Sequence, residues 1–181
     1  THEVKRISNL VNDLYELTLA DLGAMKYQMR EMDIGSCLEE VIDSYRDRLE
    51  SSEIKLSKSI QTVSAFLGDR YRLEQLFTNL IENTLRYTDS PGELDIQLIE
   101  EKNSILITFS DSAPDVDKDV IEKIFDRFFR EELSRSREKG GAGLGLAICH
   151  EIVEAHSGQI SASPSDLGGL SIQISLPRDD S

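Results

Sequence analysis

Cysteine is scarce in this chain: two in 181 residues, Cys37 and Cys149, far apart and in no C-x-x-C pair. That excludes a disulfide framework and a cysteine-based zinc module, and a reducing compartment is the easier setting for both thiols. Histidine is almost as rare. His2, His150 and His156 stand at no metal-ligand spacing and read as surface or helix residues. Long apolar runs are missing as well. No stretch reaches membrane-spanning length, and no secretory signal opens the chain. The first residue is Thr1 rather than Met, so a longer protein is expected around this piece. Positive charge is in deficit, with 20 Lys and Arg against 34 Asp and Glu, a net charge of −14. That sign argues against nucleic acid as a partner. Any site for an anionic ligand must then be locally basic.

One stretch is. Between 123 and 139, Lys123, Arg127, Arg130, Arg135, Arg137 and Lys139 outnumber Asp126, Glu131, Glu132 and Glu138. Gly141, Gly143 and Gly145 follow at alternate positions, where an amphipathic helix begins. Glycine is costly inside an element, but it lets backbone N–H groups approach a phosphate at a helix N-terminus. A solvated loop is the plainer alternative. The run reads G-x-G-x-G, lacks GK[ST] and follows a charged loop, so Walker and Rossmann readings fail.

The periodicity predicts the remaining elements. Val4, Ile7, Leu10, Val11, Leu14 and Leu17 form a narrow helical seam of the kind that pairs with another helix. Ser36 and Glu39 suggest a capping box ahead of a helix carrying Leu38, Val41, Ile42, Tyr45 and Leu49. A strand is expected at Ile54 and Leu56. A third helix runs from about Arg70 to Tyr87, with Leu73, Leu76, Phe77, Leu80, Ile81 and Leu85 on one face. Two alternating strands follow at Leu94–Leu98 and Ile105–Phe109. A helix runs from about Leu144 to His156, with Gly158 as its stop, and two strands close the chain. Strands apolar on one face only point to an α/β (α+β) fold. The expected form is a two-layer sandwich with a mixed, mostly antiparallel sheet covered on one face by helices, preceded by a bundle-forming helix.

Chemistry concentrates in three places. On the third helix, Asn79, Glu82, Asn83 and Arg86 gather on one stripe at about 100° per residue. Such oxygen donors suit Mg²⁺, which shares its shell with substrate phosphates, and Arg86 offers a fork to phosphate oxygens. An ordinary solvated helix face is the alternative. Asp111 ends a strand, where a carboxylate can accept from an exocyclic amine; a turn-forming aspartate is the local alternative. The glycine run is the third place.

Taken in order, these segments resemble the sensor histidine kinases. "NLIENTLRYT" is similar to their asparagine box, "DSAPDV" to the first glycine box, "FDRFFR" to the phenylalanine box, "GGAGLGLAI" to the second glycine box, and "GGLSIQISLP" to the closing strand. The "DSAP" form looks most like the envelope-stress members. The resemblance spans about residues 34–178 and implies a Bergerat-type ATP-binding domain there. Residues 1–30 would be the second arm of a dimerisation hairpin with its linker.

The implied ligands are ATP and Mg²⁺. Asn83 would hold the metal, with Asn79 nearby, and Arg86 and Tyr87 would face the phosphates. Asp111 would accept the adenine amine, and Glu82, Asn83 and Arg86 would be the catalytic group. Ala113, Val116, Ile124, Phe128, Arg130, Gly141, Ala142, Gly143, Leu144, Gly145 and Leu146 would complete the nucleotide site, with residues 125–142 as a moving lid. The implied partners are a second copy in the full-length protein and a response-regulator receiver domain, on the cytoplasmic side of the inner membrane. The fragment itself is not expected to span that membrane.

Two departures stand out. The usual D-x-G-x-G of the first glycine box has Ala113 and Asp115 in its glycine positions, and the phosphoacceptor motif is absent, since His2 and Glu3 are followed by Val4-Lys5-Arg6. The acceptor is therefore expected on a missing first arm. An ATPase of the gyrase, chaperone or MutL type, with Glu82 activating water, is the rival chemistry. A non-catalytic dimeric adaptor is the other alternative.

Overall fold

The computed structural model describes residues 1–129 and 143–178. Helix α1 spans His2–Asp21 and is followed by a short strand β1, Arg30–Met32. Helix α2 covers Ile34–Ser51, strand β2 Ile54–Ile60, strand β3 Phe66–Gly68 and helix α3 Arg70–Tyr87. Strands β4 (Gly92–Glu100) and β5 (Ser104–Asp111) precede helix α4 (Lys118–Lys123) and helix α5 (Gly145–Ala155). Strands β6 (Gln159–Pro164) and β7 (Leu170–Pro177) complete the described chain. Among the described residues, no helix is long and apolar enough to cross a membrane.

The five-stranded sheet has the order β2-β4-β5-β7-β6. Among the described strands only β2 and β4 pair in parallel; α3 lies between them in sequence and supplies the crossover that parallel neighbours need. The alternation read in the sequence becomes one apolar surface. Leu98 pairs with Ile107, which pairs in turn with Ile174, and Ile96 pairs with Phe109, which pairs with Ile172, all buried. Helices α2, α3 and α5 lie side by side, with α3 in the middle. Leu73, Leu76, Phe77, Leu80 and Ile81 of α3 are buried, and Phe77 stacks on Phe109 at 6.4 Å between centroids. Each such fully buried side chain contributes roughly 1.5–3 kcal/mol.

Three local expectations are corrected. Helix α2 begins earlier than the Ser36–Glu39 box implied. Asp33 is its N-cap and accepts from the Ser36 N–H at 2.9 Å, while Glu39 reaches Lys58 instead. Aspartate caps as well as serine does, so the earlier cap wins. At the end of α5, Ser157 rather than Gly158 takes the left-handed conformation, at φ 57°. Finally, the connectors hold more structure than periodicity showed. Strands β1 and β3 form a separate antiparallel pair, and α4 occupies the loop after β5. Three-residue strands and a six-residue helix with no buried residue leave too little pattern to detect.

The seam of α1 is split. Val4, Ile7, Val11 and Leu14 are exposed, but Leu17 is fully buried where α1 packs on α5. Beside it, Glu16 accepts from Arg72 at 2.9 Å and from Gln75 at 2.7 Å. So the seam, of the kind that pairs with another helix, finds a partner within the chain for its last turns.

Candidate functional site

Two apolar rows end in polar residues, and the fold brings those ends together. On β5, Ile105, Ile107 and Phe109 are followed at the same period by Asp111. On α3, Phe77, Leu80 and Ile81 are followed by Thr84 on the buried face. Asp111 and Thr84 are both buried and meet directly, Thr84 Oγ1 donating to Asp111 Oδ2 at 3.4 Å. Asp111 Oδ1 accepts two backbone N–H groups, from Leu170 at 2.9 Å and Ala113 at 3.2 Å. Burial pushes the Asp111 carboxyl above the usual aspartate range, and those three donors oppose the shift.

The turn around Asp111 is closed by the start of β7. A Cβ on Gly169 would lie 2.3 Å from the Ala113 nitrogen and 2.4 Å from Asp111 Oδ1, so only glycine fits there. Neither Gly169 nor Thr84 was singled out in the sequence. The available signals were a Gly-Gly pair ahead of an alternating strand and a hydroxyl on the core stripe of a helix. One turn beyond Thr84, Thr88 Oγ1 is buried with no hydrogen-bond partner among the described residues. A buried hydroxyl left so is costly.

The stripe of α3 does not act as one unit. Asn79 turns to α5 and donates from Nδ2 to the Gly145 carbonyl at 3.3 Å; its Oδ1 is the acceptor end of the amide. A Cβ on Gly145 would meet Asn79 only at 4.0 Å, so there is room beside the amide. Asn83 lies a turn further on the same flank, half-buried like Arg86 and Tyr87. Glu82 turns to α2. It accepts from Tyr45 Oη at 2.8 Å and pairs with Arg48 at 2.5 Å. Burial alone would raise the Glu82 carboxyl, but those two partners hold it below the usual range. The Tyr45 hydroxyl is pushed up to about 12 by burial and by Glu82.

Near the second glycine box, Gly143 has φ 73°, and a Cβ there would lie 2.7 Å from the Phe129 carbonyl. That left-handed turn requires glycine. Its carbonyl accepts from the Phe128 N–H at 3.0 Å, joining the segment after α4 to the root of α5. The Leu144 side chain is wholly in the core, so this residue offers only its backbone; Leu146 is half-buried. Ala113 is buried in the Asp111 turn, Val116 and Ile124 pack partly on the core, and Phe128 is exposed. Arg130, Gly141 and Ala142, with most of the expected lid, lie outside the described residues. Arg127, counted among the basic residues of that stretch, turns to α1 and grips Asp21 with two bonds of 2.6 Å.

Two sequence readings need adjustment. His150, Glu151 and Glu154 bring ligand-type atoms within 4.8 Å of one another on α5, a grouping missed because only histidine and cysteine spacings were weighed. Glu151 also faces Arg127 at 3.9 Å. His156, read as a surface or helix residue, is buried at the C-terminal cap of α5. Its Nε2 accepts from the Asp69 N–H at 3.0 Å, and Asp69 in turn accepts from the Gln28 N–H at 2.8 Å. That knot joins the connector after α1 to α3 and α5.

Both thiols are free and buried, and burial pushes them well above the cysteine range. They are inert as nucleophiles.

The donor set therefore fits a purine nucleotide. A buried carboxylate can accept from a base amine, amide oxygens suit a hard cation, and a glycine turn opens a helix beside them.

Residues 68–180 match the family model described as "Histidine kinase-, DNA gyrase B-, and HSP90-like ATPase". The signal transduction histidine-protein kinase BaeS of Escherichia coli strain K12 is 47% identical over 97% of this chain and 38% of its own length. This chain thus spans well under half of that relative. Among solved structures, the Acinetobacter baumannii histidine kinase AdeS has a TM-score of 0.82 at 24% identity, covering 99% of this chain and 82% of that one. The histidine kinase ThkA, solved in complex with the response regulator protein TrrA, has a TM-score of 0.78 at 21% identity, covering 98% and 49%. These likenesses show the fold: a mixed α/β sandwich shared with histidine kinase catalytic domains.

Proposed function

This chain belongs to the histidine kinase-, DNA gyrase B- and HSP90-like ATPase family, and we propose that it is the ATP-binding catalytic region of a two-component sensor kinase. The reaction moves the γ-phosphoryl group of ATP to a histidine nitrogen, releasing ADP, and then to an aspartate of a response-regulator receiver domain. Residues 34–178 form the catalytic domain and residues 1–30 the second arm of a dimerisation hairpin with its linker. The acceptor histidine belongs to the other arm, outside this chain. In the cell the region sits on the cytoplasmic side of the inner membrane as part of a longer, dimeric protein. Its two inert, unpaired thiols suit that reducing compartment.

The observation that carries the reading is Asp111, a buried acceptor at the end of β5 with Oδ1 fully engaged and Oδ2 turned to Thr84. Such a group reads an adenine amine. Asn83, with Asn79 beside it, is positioned to hold Mg²⁺, whose contribution when bound is to neutralise phosphate charge. Arg86 and Tyr87 face the phosphates, and the turn at Gly143 brings backbone N–H groups toward them. Glu82 favours kinase over ATPase chemistry. Its oxygens are held by Arg48 and Tyr45, whereas a water-activating carboxylate needs them for water. The identity to BaeS and the TrrA complex of ThkA support the receiver partner.

The test is incubation with γ-labelled ATP, with and without a separately supplied hairpin carrying the acceptor histidine. The expected result is acid-labile label on the hairpin only, slow because covalent proximity is lost, and abolished by Asn83→Ala. Free phosphate with no label on the hairpin would establish the ATPase alternative. Label on this chain alone would place an acceptor at His2, His150 or His156.

A further inference from the structure

Thr84 is the hydroxyl that the core stripe of α3 did not need. Positions 73, 76, 77, 80 and 81 are all apolar and buried, and an aliphatic residue at 84 would continue them. Instead a hydroxyl is buried there, and the partner it has is Asp111 Oδ2. Among the described residues, the carboxylate is otherwise held through Oδ1, by the Leu170 and Ala113 N–H groups. Oδ1 is pressed from the far side by Gly169, where no Cβ fits. Oδ1 is thus tied into the turn by two N–H groups, and Oδ2, held by Thr84 alone among the described residues, is the oxygen with lone-pair capacity left for a base amine.

We propose that Thr84 is a specificity-determining positioning residue: by donating to Asp111 Oδ2 it keeps that oxygen an acceptor and so selects an amine over a carbonyl at position 6 of the purine. This rests on the nucleotide reading above. The chemistry is a matter of which partner carries hydrogen. An ionised carboxylate accepts from an amine and repels a carbonyl, lone pair against lone pair. A protonated carboxyl would donate to the carbonyl and lose the distinction. Burial already favours the protonated form of Asp111, and three donors oppose it; Thr84 is the one on the oxygen that faces the base. Removing its hydroxyl takes away both the orientation and the bias toward the acceptor form.

The experiment uses the whole chain and two nucleotides, ATP and inosine triphosphate, which carries a carbonyl in place of the adenine amine. Each displaces a ribose-labelled fluorescent ATP in Mg²⁺ buffer. The variants are Thr84→Val, which keeps the shape and loses the hydroxyl, and Thr84→Ser, which restores it. Thr84→Ala replaces the valine variant if circular dichroism shows that valine disturbs the fold. Loss of one hydrogen bond to a charged group lowers the ATP-over-inosine preference by about fivefold or more in Thr84→Val, and Thr84→Ser recovers it. An unchanged preference in a folded valine or alanine variant overturns the inference. So does an equal loss for both nucleotides, which would mark a merely structural role. If the natural chain binds neither nucleotide, the nucleotide reading itself falls, and this inference with it.

Discussion

His156 shows how one buried side chain can carry a measurable pH dependence. Its Nδ1–H donates to the Ile152 carbonyl at 2.7 Å, and its Nε2 accepts from the Asp69 N–H, so the ring is neutral in the folded chain. Tyr27 and Phe66 pack against it. Burial lowers its pKa, partly opposed by the Ile152 bond and the Asp69 charge. The unfolded chain then takes up a proton at higher pH than the native one. His156 therefore contributes stability above its unfolded value of about 6.5, and that contribution is lost as pH falls toward the lower folded value. Urea unfolding at pH 7.5 and pH 5.5 should show a lower midpoint at the acid pH. The drop should shrink in His156→Gln, which cannot titrate; an equal drop in both proteins would place the sensitivity elsewhere.

At the scale of elements, the start of α2 separates two readings of one stretch. The Ser36–Glu39 pattern has the form of a capping box, yet the side chain that caps is Asp33, which accepts from both the N–H and the hydroxyl of Ser36. Asp33→Ala should cost about 1 kcal/mol of stability, the usual loss for an N-cap. Glu39→Ala, which removes an exposed pair with Lys58, should cost less than about 1 kcal/mol. Chemical denaturation measures both, and a larger loss for Glu39→Ala would restore the later start. Most element types were legible in advance because each carries its own period. The ladder of β4, β5 and β7 and the face of α3 repeat apolar residues at spacings of two and of three to four. The pair β1–β3 was not legible, since three residues make no period and the partners lie more than thirty positions apart.

On the scale of the whole molecule, α1 is half committed. Its last turns are anchored by Leu17, by Glu16 with Arg72 and Gln75, and by Asp21 with Arg127. Its first turns present Val4, Ile7 and Val11 to solvent. Leu17→Ala should lower the stability of the chain by about 2–5 kcal/mol, the range for emptying a buried leucine site. If α1 instead unfolds separately from the sheet and its helices, the main unfolding transition stays in place, and fluorescence or circular dichroism melting curves distinguish the two outcomes.

The amino-acid sequence by itself determined the order and type of the long elements, the charge balance and the ordered boxes that resemble those of a nucleotide site, because each is written in neighbouring residues. Asn79, Asn83, Arg86 and Asp111 were all readable in that way. Tertiary structure alone decided which of them work together. It turned Asn79 toward α5 and Glu82 toward α2, took Arg127 to α1, and joined the polar end of the α3 face to the polar end of the β5 row through Thr84 and Asp111. It also set Gly169 against that carboxylate from fifty-eight positions away. A helix face or a strand face follows from local periodicity. Which faces meet depends on strand register and helix packing, and those are settled only when distant segments bury their apolar surfaces together.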